Sequence, residues 1–110
     1  MANRHGGLAA GGWQKLSLAA QLGNIGAEVG RALRARVKGQ AEQEQLALER
    51  GLELFDLTIA DSRWHGRLKE LLRAREVVCD YFFGDNHYRS QPDQIETYFM
   101  QFALAARLSL

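Results

Sequence analysis

With 110 residues, 46% of them apolar and 25% charged, the chain carries enough apolar side chains for one buried core, which excludes wholesale disorder. Fourteen Lys and Arg against thirteen Asp and Glu leave a net charge of +1, so the protein cannot coat nucleic acid by bulk charge and any polyanion site must be a local patch. The single cysteine, Cys79, excludes an internal disulfide, and no apolar run reaches the roughly eighteen residues of a membrane span.

Met1 to Gly12 holds basic and small residues but no continuous apolar segment of signal-peptide length, so the expected compartment is the cytoplasm. Gly6, Gly7, Gly11 and Gly12 crowd this stretch, and ordering them costs chain entropy, so residues 1–12 read as a flexible tail ahead of one domain at 13–110. From Trp13 to Lys38, Leu18, Leu22, Ile25, Val29, Leu33 and Val37 recur at three- or four-residue steps, the spacing of one helix face, and Gly39 supplies the stop. Leu48, Leu52, Phe55 and Ile59 repeat that spacing between Gln40 and Ala60, and Asp61–Ser62 offers a cap for the next segment. A third helix is predicted from about Arg63 to Phe83 on Trp64, Leu68, Leu71, Leu72, Val78, Cys79 and Phe82, ending at Gly84. Ser90-Gln91-Pro92-Asp93 reads as a capping box for a fourth helix that buries Ile95, Tyr98, Phe99, Phe102 and Ala106. No stretch alternates long enough for a strand, so the expected fold is all-α, an up-down four-helix bundle.

Some apolar residues lie off these stripes. Leu46 and Leu57 on the second helix, and Met100 and Leu104 on the fourth, find only water in a monomer, and burying each would gain about 1.5–3 kcal/mol. A homo-oligomer is therefore expected. The first helix also carries Gly23, Gly26 and Gly30, each costing about 0.8–1 kcal/mol against alanine, which a close helix crossing at Gly26 and Gly30 would explain. A kink offering backbone amides to a phosphate is the alternative, although no strand precedes these glycines and no Lys-Ser or Lys-Thr follows them.

Charge is segregated: Trp13 to Gly39 holds five bases and one acid, and Gln40 to Ala60 five acids and one base. Eleven of the fourteen bases are arginine, whose planar fork suits carboxylates within a bundle and phosphates on its surface. Arg31, Arg34 and Lys38 lie away from the apolar stripe of the first helix, and Arg63 and Arg67 on the third join them as candidate nucleic-acid contacts. Arg75 falls in the middle of the third helix's stripe, where a buried guanidinium needs a carboxylate, so Asp56, Glu53 or Glu49 is expected to form a buried ion pair with it.

No catalytic signature emerges, and the protein is expected not to be an enzyme. None of His5, His65 and His87 has a carboxylate three residues before it, as a Glu-x-x-His metal site would require, so no metal or cofactor is expected. Glu53-x-x-Asp56 matches half of the carboxylate pattern of a magnesium-dependent all-α nucleotide pyrophosphatase, but the companion pair of glutamates three apart is missing. Cys79 reads as a core thiol, and Asp85-Asn86-His87-Tyr88 as a turn whose Asp and Asn bond local backbone.

Asn24-Ile25-Gly26-Ala27-Glu28-Val29-Gly30-Arg31, followed by Glu49-Arg50-Gly51-Leu52-Glu53-Leu54, resembles the four-helix-bundle family of ribosomal intervening-sequence proteins. In that family an Asn-Ile-Ala-Glu-Gly stretch ends in a basic residue, and a helix with an Ala-Arg-Gly-Ser-Leu-Ala-Glu-Leu pattern follows. The same superfamily includes the accessory variability proteins of diversity-generating retroelements. The resemblance covers the first two helices, under half of the chain. It implies a barrel-shaped pentamer that binds RNA or DNA and docks a reverse transcriptase. A protein-only structural adaptor is the alternative, distinguished by whether the exposed arginines cluster.

Overall fold

Ser17 opens the first long helix by accepting the Ala20 amide on its hydroxyl at 3.1 Å, and α1 (Leu18–Val37) then runs until Gly39, at φ +69°, reverses the chain. The computed structural model describes residues 11–108. In them α1 is followed by α2 (Ala41–Ile59), α3 (Leu68–Phe83) and α4 (Pro92–Leu108), an all-α four-helix bundle as the apolar periodicity predicts. Residues 1–10 of the expected tail lie outside the described residues, and Gly11 and Gly12 are partly buried.

The first helix starts later than its apolar spacing suggests. Trp13–Lys15 forms a separate 3₁₀ turn and Leu16 is extended, with ψ 149°. This break delivers Trp13, with no exposed surface, to the bundle interior, where its Nε1–H donates to Thr58 Oγ1 at 3.0 Å. At the other end the stripe overshoots: Val37, expected in the core, is 86% exposed because the helix stops there.

Leu48 and Phe55 of α2 are buried, and Leu52, Ile59 and also Leu57 pack against the core, so Leu57 is not the outward residue that its wheel position suggested. Asp61 caps the next segment, accepting the Arg63 amide at 3.1 Å. The continuous helix expected from Arg63 does not form. Ser62–Arg67 is a 3₁₀ segment kinked at Trp64, and α3 starts only at Leu68. Side chains hold this tighter path: Trp64 Nε1–H donates to Gln21 Oε1 at 2.9 Å while the Arg63 guanidinium folds back onto Asp61.

The cap of α4 is displaced by one residue from the predicted box. Gln91 is its anchor, donating its amide to Gln94 Oε1 at 2.9 Å, with Pro92 at the first helical position. Ser90 is taken instead by Asn86, whose amide side chain accepts Ser90 N–H at 2.9 Å and donates to Ser90 C=O at 3.1 Å.

Packing is uneven around the bundle. α1 lies along both α2 and α4, whereas α3 leans chiefly on α2 and leaves an apolar cleft of about 260 Å³ toward α4, lined by Ala74, Val77, Ile95 and Tyr98. The close crossing predicted from the glycines lies between α1 and α4, but at Gly23 and Gly26. A Cβ on Gly26 would stand 2.9 Å from Phe99 Cγ and one on Gly23 3.0 Å from Ala103 Cα. At Gly30 it would meet only the Arg34 guanidinium, at 3.2 Å, so Gly30 is not part of the crossing.

Candidate nucleic-acid interface

Arg31, Arg34 and Lys38 recur at three- and four-residue steps, so they share the face of α1 that turns toward the start of α2. With Gln40, Gln43, Leu46 and Arg50 they line a cavity of about 330 Å³. Glu28, 8% exposed, is the carboxylate beside them: Arg31 Nη1 lies 3.0 Å and Arg50 Nε 3.2 Å from its Oε1. Gly51 of α2 packs beside it, and a Cβ there would lie in ordinary contact with Glu28 Cβ at 3.5 Å. The Asn24–Arg31 and Glu49–Leu54 stretches thus meet at Glu28, Arg50 and Gly51.

Every described arginine except Arg34, Arg89 and Arg107 reaches a carboxylate within 4 Å. Arg34 and Lys38 make no ion pair among the described residues, and Arg31 and Arg50 divide one carboxylate. Four cations face one buried acid, an arrangement that attracts an anion with several oxygens. Nearby, Glu44 is taken by Arg36 at 3.4 Å. Arg36 also donates to the carbonyls of Tyr81 and Phe82, both at 3.3 Å, and so caps the end of α3.

The other two expected contacts sit elsewhere. Arg63, in the 3₁₀ segment before α3, lies beside the start of α1, roughly 20 Å along that helix from the cavity, and its guanidinium is already engaged. Its Nη2 donates to Asp61 Oδ2 at 2.7 Å and to Leu16 C=O at 2.9 Å, and its guanidinium stacks 4.4 Å from the Trp64 ring. Asp61 is 7% exposed. The Arg63 hydrogen bond, against the opposing effect of burial and with help from the Arg63 amide and Gln21, brings its carboxyl down to about 2. Arg67 is bound by Glu70 on its own helix turn.

Asp61 completes a polar network that sequence reading missed. Gln21, with no exposed surface, donates Nε2–H to Trp13 C=O at 2.8 Å, lies 3.4 Å from Asp61 Oδ2, and accepts from Trp64. The available signal was one amide inside the Leu18–Leu22–Ile25 stripe, which marks a buried polar group needing partners. Arg50 was also missed, although it is the lone base on an acidic helix.

Arg75 does find Asp56, with Nε 3.0 Å from Oδ1, but the pair is not buried: its side chains are 34% and 63% exposed. α3 meets α2 along a seam open to water, so the flank of its stripe stays wet. Glu53 takes no part in this pair, and its Oε1 is buried without a hydrogen-bond partner. Glu49 accepts from Gln45 at 3.3 Å instead. Cys79 is half-buried, and burial pushes its thiol up, opposed by the Arg75 charge and reinforced by that of Asp56. The loop after α3 is ordered chiefly by Asp80, which accepts the Tyr88 amide at 3.0 Å and the His87 amide at 2.8 Å. Those two bonds, Tyr88's first, hold its carboxyl below the usual range.

Among the described residues no three His, Cys, Asp or Glu side chains gather where they could hold a metal ion, and no helix is long and apolar enough to cross a membrane. No protein-family model matches the chain, and neither a curated protein nor a solved structure matches it.

Proposed function

We propose that the protein is a non-catalytic helical scaffold that associates with copies of itself and grips the phosphates of RNA or DNA in the Arg31–Arg34–Lys38–Arg50 cavity. One observation carries this reading: Arg34 and Lys38 reach the cavity without a carboxylate while Arg31 and Arg50 share Glu28. Arginine forks reach two phosphate oxygens at once, and the lysine adds a mobile point charge. Of the five cations expected from sequence, Arg63 and Arg67 leave the proposal because Asp61, Trp64 and Glu70 already occupy them. The pentamer, the reverse-transcriptase partner and the place in a diversity-generating retroelement rest on the family resemblance alone.

Fluorescence anisotropy with labelled single- and double-stranded oligonucleotides tests the reading. Binding should be measurable at about 50 mM salt and weaken with a log–log slope near −3, as expected for three or four neutralised phosphates. Replacing both Arg34 and Lys38 by glutamate should weaken it more than about tenfold, whereas Arg67→Glu should leave it within about twofold. Absence of binding at that salt refutes the nucleic-acid role and leaves the protein-only adaptor, while equal losses from the two kinds of variant refute the assignment of that role to this cavity.

A further inference from the structure

The outer face of α4 carries one line of side chains, Glu96, Met100, Leu104 and Arg107, at steps of four, four and three residues. Met100 and Leu104 are 56% and 50% exposed. They border a groove of about 290 Å³ between α4 and α1, with Gly26, Ala27 and Gly30 on the α1 side. Because those positions lack long side chains, the groove is open enough to receive apolar side chains from outside. Glu96 and Arg107 stand at opposite ends of the α4 line, about 16 Å apart on a rise of 1.5 Å per residue. Neither makes an ion pair among the described residues, and Arg34, which borders the groove on the α1 side, makes none either.

This order of charges is self-complementary. The midpoint of Glu96 and Arg107 falls between Gln101 and Phe102 and that of Met100 and Leu104 at Phe102, within half a residue of each other. A second α4 laid antiparallel about a two-fold axis there meets the first with Met100 on Leu104 and Leu104 on Met100, and with Glu96 against Arg107 at both ends. A parallel neighbour would set Glu96 on Glu96 and Arg107 on Arg107. We propose that the groove between α1 and α4 is the site where a second copy of this chain docks, through an antiparallel, two-fold pairing of their α4 helices. An isologous contact of this kind closes on itself and makes a dimer. The inference rests on the self-association in the proposed function and gives it a surface and a symmetry. Arg34 lines both the groove and the basic cavity, so the second copy sits beside the cations assigned to phosphate.

Sedimentation velocity over about 1–500 µM, with the full chain, tests the pairing. The wild-type protein should pass from monomer to dimer, and Leu104→Asp should abolish the dimer. Glu96→Arg and Arg107→Glu should each weaken it by about tenfold or more, since each places like charges at both ends of the interface. The double variant E96R/R107E should recover to within about threefold of wild type, because the two-fold pairing then meets arginine with glutamate again. All three substituted residues, Glu96, Leu104 and Arg107, lie on the outer line of α4 and outside the buried core, and circular dichroism should report unchanged helicity. A wild-type chain that stays monomeric throughout overturns both this inference and the self-association behind it. A dimer or a five-subunit assembly that ignores Leu104→Asp, or a double variant no better than the single ones, overturns the α4 pairing alone. Oligonucleotide binding is measured separately and stands or falls on its own.

Discussion

Two glycines one turn apart on α1 should respond to alanine with opposite signs. Alanine improves the helix at either position by about 1 kcal/mol. At Gly26 the new Cβ would stand 2.9 Å from Phe99 Cγ and still nearer to its Cβ, and Phe99 is 3% exposed and edge-packed on Phe55 and Tyr98, with centroids at 6.0 and 5.1 Å. The nearest clash is with Phe99 Cβ, which is fixed to the α4 backbone, so turning the ring does not relieve it and α4 must move away; overpacking of this kind costs about 1–3 kcal/mol, with this contact at the upper end. The net is a loss of about 1–2 kcal/mol, or ~4–8 °C in Tm for a chain of this size. At Gly30 the Cβ meets the flexible tip of Arg34 at 3.2 Å, which can swing aside. Gly30→Ala should therefore gain about 0.5–1 kcal/mol and raise Tm by ~2–4 °C. Urea and thermal denaturation at a few micromolar concentration, below the proposed dimerisation, read both. If Gly26→Ala stabilises the protein, or the two variants move together, the α1–α4 crossing is not where Gly23 and Gly26 meet Ala103 and Phe99.

The folded-state carboxyl of Asp61, near 2 against an ordinary 3.8, contributes stability that is full above pH 4 and lost as pH falls through 2. The shift corresponds to about 2.5 kcal/mol at most, and screening of the half-exposed Arg63 reduces it to ~1 kcal/mol. Wild-type Tm should accordingly fall more steeply between pH 4 and pH 2 than that of Asp61→Asn, and parallel profiles would refute the assignment. Tyr98 is pushed up to about 12, by burial first and then by the Glu70 carboxylate beside its hydroxyl. It favours the folded state below pH 10, and that contribution disappears as pH rises through 12. Phenolate absorbance should show a last-ionising tyrosine that Tyr98→Phe removes; an unchanged alkaline limb in that variant contradicts it.

Fold class was legible because a bundle helix must repeat its apolar residues every three or four positions, and Leu22, Ile25, Val29, Leu48, Phe55, Leu71, Val78 and Phe99 do so. Local stops were legible too, since Gly39 needs a left-handed backbone and Pro92 suits a first helical turn. The cation cluster was half legible: Arg31, Arg34 and Lys38 follow from one helix face, while Arg50 joins them only through the packing of α2 on α1. Periodicity is a property of one segment and says nothing about partners that arrive from another. For that reason sequence could not show that Trp13 leaves the helix for Thr58, that Gln21 joins Trp13 to Trp64, or that Arg63 is consumed by Asp61. It placed Arg75 on an apolar stripe, but how deep that stripe lies depends on α3 resting against α2 along an open seam. Spacing along the chain determined which residues share a face; tertiary packing decided which faces meet, and with them which charges are neutralised and which remain for a ligand.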